Sequence, residues 1–366
     1  MWKTLGLTVL GLVGISGAFI AWLFALIDQS TVAADLQSQR LEDLTYYHNR
    51  VAEDRGRILV VVTSETQMGE GGEPTGYEHT ELARAYYVFT VNGFDVDIAS
   101  PRGGKPRAVI DDEDMGPLDY AFLNDAVAMD KVQNTLPLAE VNGDDYRAVF
   151  FVGGKGAMWD FPDNPHIHQI VRDFASGSKL LGAVCHGPAA LANVILREGK
   201  PFLAGKPVTG FTNEEELFLI PEAAEVFPFL LEDRLRERGA AVSVGLPYLE
   251  NIAVTDGLVT GQNPWSVYAT AENMVEQLGY TLVPRVTTGD ENSVAVLIRY
   301  HLRGKVGARE SVDTFAGAGA RLNRNLVIMH GLVAAMQWRL KSALELFVLA
   351  QHIKTVYSSP GSHWLH

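Results

Sequence analysis

The stretch "GAVCHGPAAL" (182–191) sets a thiol beside an imidazole, and Cys185 is the chain's one cysteine. A lone cysteine after an apolar strand is commonly a small, inert hydrophobe. Three features point instead to a nucleophile. "AVCHG" (183–187) has the small–x–nucleophile–x–small form of a strand-to-helix elbow, whose small flanks allow the sharp turn that exposes the central side chain. A helix starting after Cys185 would bring its positive end to the sulfur and stabilise a thiolate. His186 offers a base, although adjacency on a tight turn does not by itself bring two side chains together. A thiolate with an imidazole partner serves covalent attack on carbonyl carbon.

The elements around this elbow alternate. "RILVVVT" (57–63), "DVDIAS" (95–100), "RAVFFVGG" (147–154) and "KLLGAVC" (179–185) are short β-branched or apolar runs that predict buried strands. Helical spacing over 80–94, 164–177 and 188–196 separates them. Further on, 206–212 predicts a strand, 226–240 a helix, 251–264 a hairpin about Asp256-Gly257, and 264–279 a closing helix. Such alternation implies an α/β fold with a mainly parallel sheet covered on both faces. In such sheets sites form at the carboxyl ends of strands, where Cys185 falls. Residues 101–145, rich in Gly, Pro and Asp, predict a long insertion.

Composition bounds the partners. The formal net charge of −14 argues against nucleic acid, whose phosphates need a basic footprint. After Pro284 there are ten Lys/Arg against five Asp/Glu, a balance of +5, so the remainder carries −19. No charged residue falls between Thr4 and Ile27, about 24 residues, long enough for a helix to span a bilayer. Trp2 and Trp22 lie near its ends, as interfacial aromatics do. The expectation is an uncleaved single-pass anchor over 1–30, against a cleaved signal peptide or a buried helix. Lys3 before it and Asp28 and Asp35 after it predict a body outside the inner membrane. A linker over 31–55 and a catalytic domain over 56–284 follow. The basic, partly apolar extension over 285–366 would pack on the body, build a dimer face or lie on a membrane surface.

Three motifs in order, "GGKGAMWDFPDN" (153–164), "GAVCHGPAAL" (182–191) and "VTGFTNEEE" (208–216), resemble the PfpI-type branch of the class I glutamine-amidotransferase-like superfamily. "TGYEHTELARAYYVF" (75–89) and "LVTGQNP" (258–264) fit too, so the likeness runs from about Arg57 to Leu278. It is strongest to the heat-shock chaperone and glyoxalase III subgroup. That resemblance implies a flavodoxin-like three-layer sandwich and a cofactor-independent, metal-free reaction on a small reactive dicarbonyl such as methylglyoxal, giving lactate. It implies Cys185 as nucleophile, His186 as its imidazole partner and Glu216 as the acid of the triad, with Glu214 and Glu215 as near alternatives. Glu81 would hold or shuttle a proton beside the cysteine, with Glu78 as an exposed decoy. The main-chain N–H groups of Gly154 and His186 would form the oxyanion hole. Dimers are usual in the subgroup. The chain departs from it at "GGKG", where Lys155 replaces a histidine and either alters substrate preference or is a surface lysine.

Other chemistries compete. A Cys–His–acid set equally serves an amidase or peptidase, and an exposed apolar extension suits a holdase chaperone. A true glutamine amidotransferase would need a His–x–Glu after the nucleophile, and the only one here, His79–Thr80–Glu81, precedes it. "HIH" (166–168) is a poor metal pair, since helix neighbours two apart point different ways.

Overall fold

The computed structural model describes residues 21–28, 34–112 and 115–358. The chain divides into two compact units, one of Ala34–Val286 and one joining Met1–Ala33 to Thr287–His366.

The first unit runs β1 (Arg57–Val61), α1 (His79–Val91), β2 (Asp95–Ser100), β3 (Leu136–Pro137), β4 (Ala148–Phe151), α2 (Pro165–Ser176), β5 (Leu180–Val184), α3 (Asn213–Leu219), β6 (Ile252–Thr255), β7 (Leu258–Gly261) and α4 (Val267–Gln277). These strands form a seven-stranded sheet in the order β6-β7-β5-β4-β1-β2-β3. Its neighbours are parallel except for the β6–β7 hairpin. Every residue of β4 and β5 is buried, and β1 is exposed only at Arg57. Burial of successive residues means that both faces are covered, because side chains alternate along a strand. Helix α2 packs on β5, and α4 packs on β5, β7 and α1. The register sets Gly261 of β7 beside Val184 of β5, the residue before Cys185.

The mainly parallel α/β arrangement agrees with the alternation of the sequence. Four elements differ in detail. The described residues of the 101–145 insertion include two helices, Pro117–Asn124 and Ala126–Gln133, and edge strand β3. Pro at the first turn of one helix and the Asp125 cap of the other make its polar composition compatible with helix. The strand expected at 206–212 shrinks to Pro207–Val208, which pairs with Ala241–Val242 in a separate two-stranded sheet. The helix expected over 188–196 stops after Ala189–Ala192, and that over 226–240 is confined to Leu231–Glu237.

The second unit holds α5 (Gly289–Gly317), α6 (Arg324–Met336) and α7 (Leu340–Tyr357). Thr288 and Glu291 cap α5 reciprocally, and Gly304, at φ 64°, breaks it. Helices α6 and α7 pack against each other across a turn in which Trp338 takes φ 59°.

The expected single-pass anchor is not supported, and with it the membrane-bound, extracytoplasmic location. Among the described residues no helix is long and apolar enough to cross a membrane. Residues 4–20 of the expected span lie outside the described residues. Its described end, helical over 21–26, meets protein: Leu26 is fully buried, and its carbonyl accepts from the Arg324 guanidinium. The Trp22 indole N–H donates to Gln351 at 3.1 Å, and Lys354 donates to the Ala25 carbonyl. Asp28 pairs with Arg324 at 3.4 Å. An uncharged run reads the same whether lipid or a helical unit covers it, and here the partners are polar groups of α6 and α7.

Candidate active site

Strand β5 ends at Val184, and the chain turns sharply at Cys185, which takes φ 59°. Left-handed backbone at a non-glycine residue costs on the order of 1–3 kcal/mol and persists only where its surroundings fix it. Here the Cys185 N–H donates to Gly261 O at 2.9 Å, its carbonyl accepts from Phe211 N–H at 2.8 Å, and Gly187 N–H closes the turn on Val184 O at 2.7 Å. A Cβ on Gly187 would fall 2.2 Å from the Phe151 carbonyl oxygen, so the elbow admits no side chain there.

This turn does bring the sequence neighbours together. His186 Nδ1 lies 3.3 Å from Cys185 Sγ, and its Nε2 lies 2.6 Å from Glu216 Oε2. All three residues are buried. The imidazole is tilted against Phe211 at 4.7 Å between ring centroids and stacked on Phe227 at 6.1 Å. Glu216 reaches it from the first turn of α3, which Thr212 caps. Of the neighbouring glutamates, Glu214 is exposed, whereas Glu215 is fully buried.

Glu81 lies on the first turn of α1, with no exposed surface. Its Oε2 accepts from Gly153 N–H at 2.7 Å. A Cβ on Gly153 would stand 2.6 Å from that oxygen and 2.8 Å from the Cys185 Cβ, so a glycine lets carboxyl and thiol approach. Burial first, and then the charge of Glu78, hold the Glu81 carboxyl well above the usual carboxylate range, while its interaction with the Cys185 thiol works the other way. Burial and then Glu81, with smaller effects of Glu78 and Glu215, push the Cys185 thiol well up. Burial and mutual contact thus hold both groups toward their protonated forms, and they titrate as a pair. Half-buried Glu78 is therefore part of the electrostatics, not a remote decoy.

The helix after the elbow, Ala189–Ala192, has only four residues. A single turn gathers little dipole. Burial and Glu81, not a helix end, thus set the thiol, contrary to the expectation of a thiolate stabilised by a helix end.

Gly154 takes φ 97°, and a Cβ there would meet Gly76 O at 2.5 Å. Among the described residues, neither the Gly154 nor the His186 main-chain N–H donates a hydrogen bond within the protein. Lys155 is half-buried and makes no ion pair among the described residues. His166 is exposed and the His168 ring contacts Pro162 O at 2.6 Å; among the described residues no group of three or more His, Cys, Asp or Glu could hold a metal ion. A surface cleft lined by Asp54, Arg57, Arg147 and Lys179 lies at the amino ends of the strands, away from Cys185.

The roles of two carboxyl groups escaped the sequence reading. Asp160, in "GGKGAMWD", accepts from the Thr63 hydroxyl and from Ser64 N–H, each at 2.7 Å, and so ties the end of β1 to the segment after Gly154. Shielding from water pushes its acid up to about 7, against the hydrogen bonds from Thr63 and Ser64. Glu215 is the other. The signal for it was its place three residues after Thr212, the reciprocal capping position.

Known proteins resemble this chain. Residues 73–217 match the DJ-1/PfpI family. The chain is 29% identical over 236 residues to the probable glutathione-independent glyoxalase HSP32 of Saccharomyces cerevisiae, covering 61% of this chain and 98% of that one. It is 30% identical over 150 residues to the probable glutathione-independent glyoxalase hsp3104 of Schizosaccharomyces pombe, covering 40% and 68%. Among solved structures it resembles the Rapid Encystment Protein 24 kDa of Francisella tularensis, with 35% identity, a TM-score of 0.58, and coverage of 61% of this chain and 99% of that one.

Proposed function

Because this chain belongs to the DJ-1/PfpI family, we propose that it is a glutathione-independent enzyme of glyoxalase III type, converting small dicarbonyls such as methylglyoxal to lactate. One observation carries the reading beyond the relatives' names: a second buried carboxyl, Glu81, interacts with the Cys185 thiol in addition to the His186–Glu216 pair. An acyl-transfer enzyme needs only a thiol, a base and an acid. Moving a hydrogen between two carbons needs a second proton carrier at the sulfur.

In this mechanism the Cys185 sulfur adds to the aldehyde carbon, forming a C–S bond. The thiol's proton passes, by way of the Glu81 carboxylate, to the carbonyl oxygen, giving a hemithioacetal and leaving Glu81 ionised. The Glu81 carboxylate removes the C1 hydrogen as a proton, forming an enediolate, and returns it to C2 while the C1 hydroxyl proton passes to the C2 oxygen, leaving a thioester of lactate. Water, with His186 accepting its proton, cleaves the C–S bond, releases lactate and restores the thiol. The Gly154 and His186 N–H groups are donors for the oxygen that gains negative charge, and Glu216 holds the imidazole against the sulfur. No cofactor enters: the enzyme's own thiol stands where glutathione would.

The same triad supports amide or peptide hydrolysis, so the test compares substrates. The full chain is incubated without glutathione, in parallel with methylglyoxal, glyoxal, glutamine and a peptide amide. The expected result is loss of the dicarbonyls with no ammonia released. Ammonia without dicarbonyl loss would replace this reading with a hydrolase.

A further inference from the structure

Glu216 makes one contact with His186 through Oε2, and its other carboxylate oxygen, buried, has no hydrogen-bond partner. Nothing on that side chain fixes its direction, so the backbone at the start of α3 must. The neighbouring Glu215 is fully buried and has no cation beside it among the described residues. Five neutral donors converge on it instead. Its Oε1 accepts from Tyr248 N–H at 2.7 Å and Asn263 Nδ2 at 2.9 Å. Its Oε2 accepts from Thr212 N–H at 3.0 Å, Thr212 Oγ1 at 2.7 Å and Gln262 Nε2 at 3.1 Å. The Tyr248 hydroxyl also donates to the Glu215 carbonyl at 2.8 Å.

These partners come from three places. Thr212 caps α3, Tyr248 sits in a loop at φ 58°, and Gln262 and Asn263 follow β7 directly. The last residue of β7, Gly261, is the acceptor for the Cys185 N–H. The end of β7 thus holds the nucleophile through Gly261 and, through the next two residues, holds Glu215. We infer that Glu215 is a positioning residue, which locks the start of α3 to the end of β7 so that Glu216 meets His186 in register with Cys185. A hydrophobic residue could seal the same space, but only an acceptor with two oxygens gathers donors from three segments at once.

The inference rests on reading Cys185, His186 and Glu216 as the reacting set, so its test has one readout that needs no dicarbonyl. The single cysteine makes iodoacetamide alkylation specific to Cys185. In the full chain, Glu215→Asp keeps the charge but withdraws it from its donors, and Glu216→Gln removes the acid. Misplaced catalytic groups cost about 10- to 100-fold. Glu215→Asp is expected to slow alkylation, and to lower kcat for methylglyoxal with KM held, by about 10- to 100-fold. In the Glu216→Gln background the same substitution should add nothing, because it acts through Glu216. Multiplying effects in the double variant, or wild-type alkylation and kcat in a folded Glu215→Asp, would overturn the inference. Should Glu215→Asp fail to fold, Tyr248→Phe removes one bond to Glu215 and goes through the same cycle. It should give a smaller loss that vanishes with Glu216→Gln; a loss that persists counts against the inference. A wild type that makes no lactate while the alkylation cycle holds would remove the proposed function and leave Glu215 in its role.

Discussion

The thiol at position 185 is built to be neutral at rest, and that sets what its neighbours must do. Burial and the Glu81 charge both raise it. Replacing Glu81 by Gln removes that ionisable group and keeps one acceptor oxygen. The pH midpoint of Cys185 alkylation should therefore fall and alkylation at neutral pH should speed up. Turnover of methylglyoxal should meanwhile drop by about 10²- to 10⁴-fold, the usual loss on removing a general acid–base group. If alkylation slowed in the same variant, Glu81 would be supporting the thiolate and not opposing it. Cys185→Ser should lose at least about a thousandfold in turnover with the fold retained, checked by circular dichroism, since an unactivated hydroxyl is a poor nucleophile.

At the scale of elements, the sheet was legible because its central strands are apolar without alternation, a pattern that only two-sided burial requires. The elbow was legible because small residues must flank it: with a Cβ site 2.2 Å from Phe151 O, Gly187→Ala is expected to yield chain that misfolds or melts markedly lower in a thermal scan. Glu216, the proposed triad acid, was named through family spacing and not through chemistry, because a run of three glutamates looks alike in sequence. Tertiary contacts sort them into one exposed, one buried among neutral donors and one against an imidazole. Asp160 was illegible for the same reason, its partners lying some 97 residues away. Its acid is raised from an ordinary 3.8 to about 7 in the folded chain. A raised folded value means stability that is complete below the ordinary value and lost as pH rises through the folded one. Melting temperature measured from pH 4 to pH 8 should accordingly fall less steeply in Asp160→Asn, which keeps an acceptor for Ser64 N–H and a donor for Thr63, than in the wild type. Parallel curves would show that Asp160 ionises without cost.

The whole molecule joins an acidic α/β unit to a helical unit with a more basic sequence, and the relatives' likeness stops at about 61% of the chain. The uncharged run at the start misled because its described end is covered by α6 and α7, which is a matter of long-range packing that no local pattern records. Residues 34–286 form a unit with its own core and every proposed reacting group. Expressed alone, they should fold and keep kcat for methylglyoxal within about threefold of the full chain, as expected for a self-contained domain. A much larger loss would give the helical unit a part in the reaction. The most direct measurement of the central claim is lactate formed from methylglyoxal without glutathione, by the full chain and its Cys185→Ser and Glu81→Gln variants. Lactate from the wild type alone is the predicted result. No lactate from folded wild type with its cysteine reduced, or undiminished lactate from either variant, would contradict a thiol that captures the substrate and a carboxyl that moves its proton.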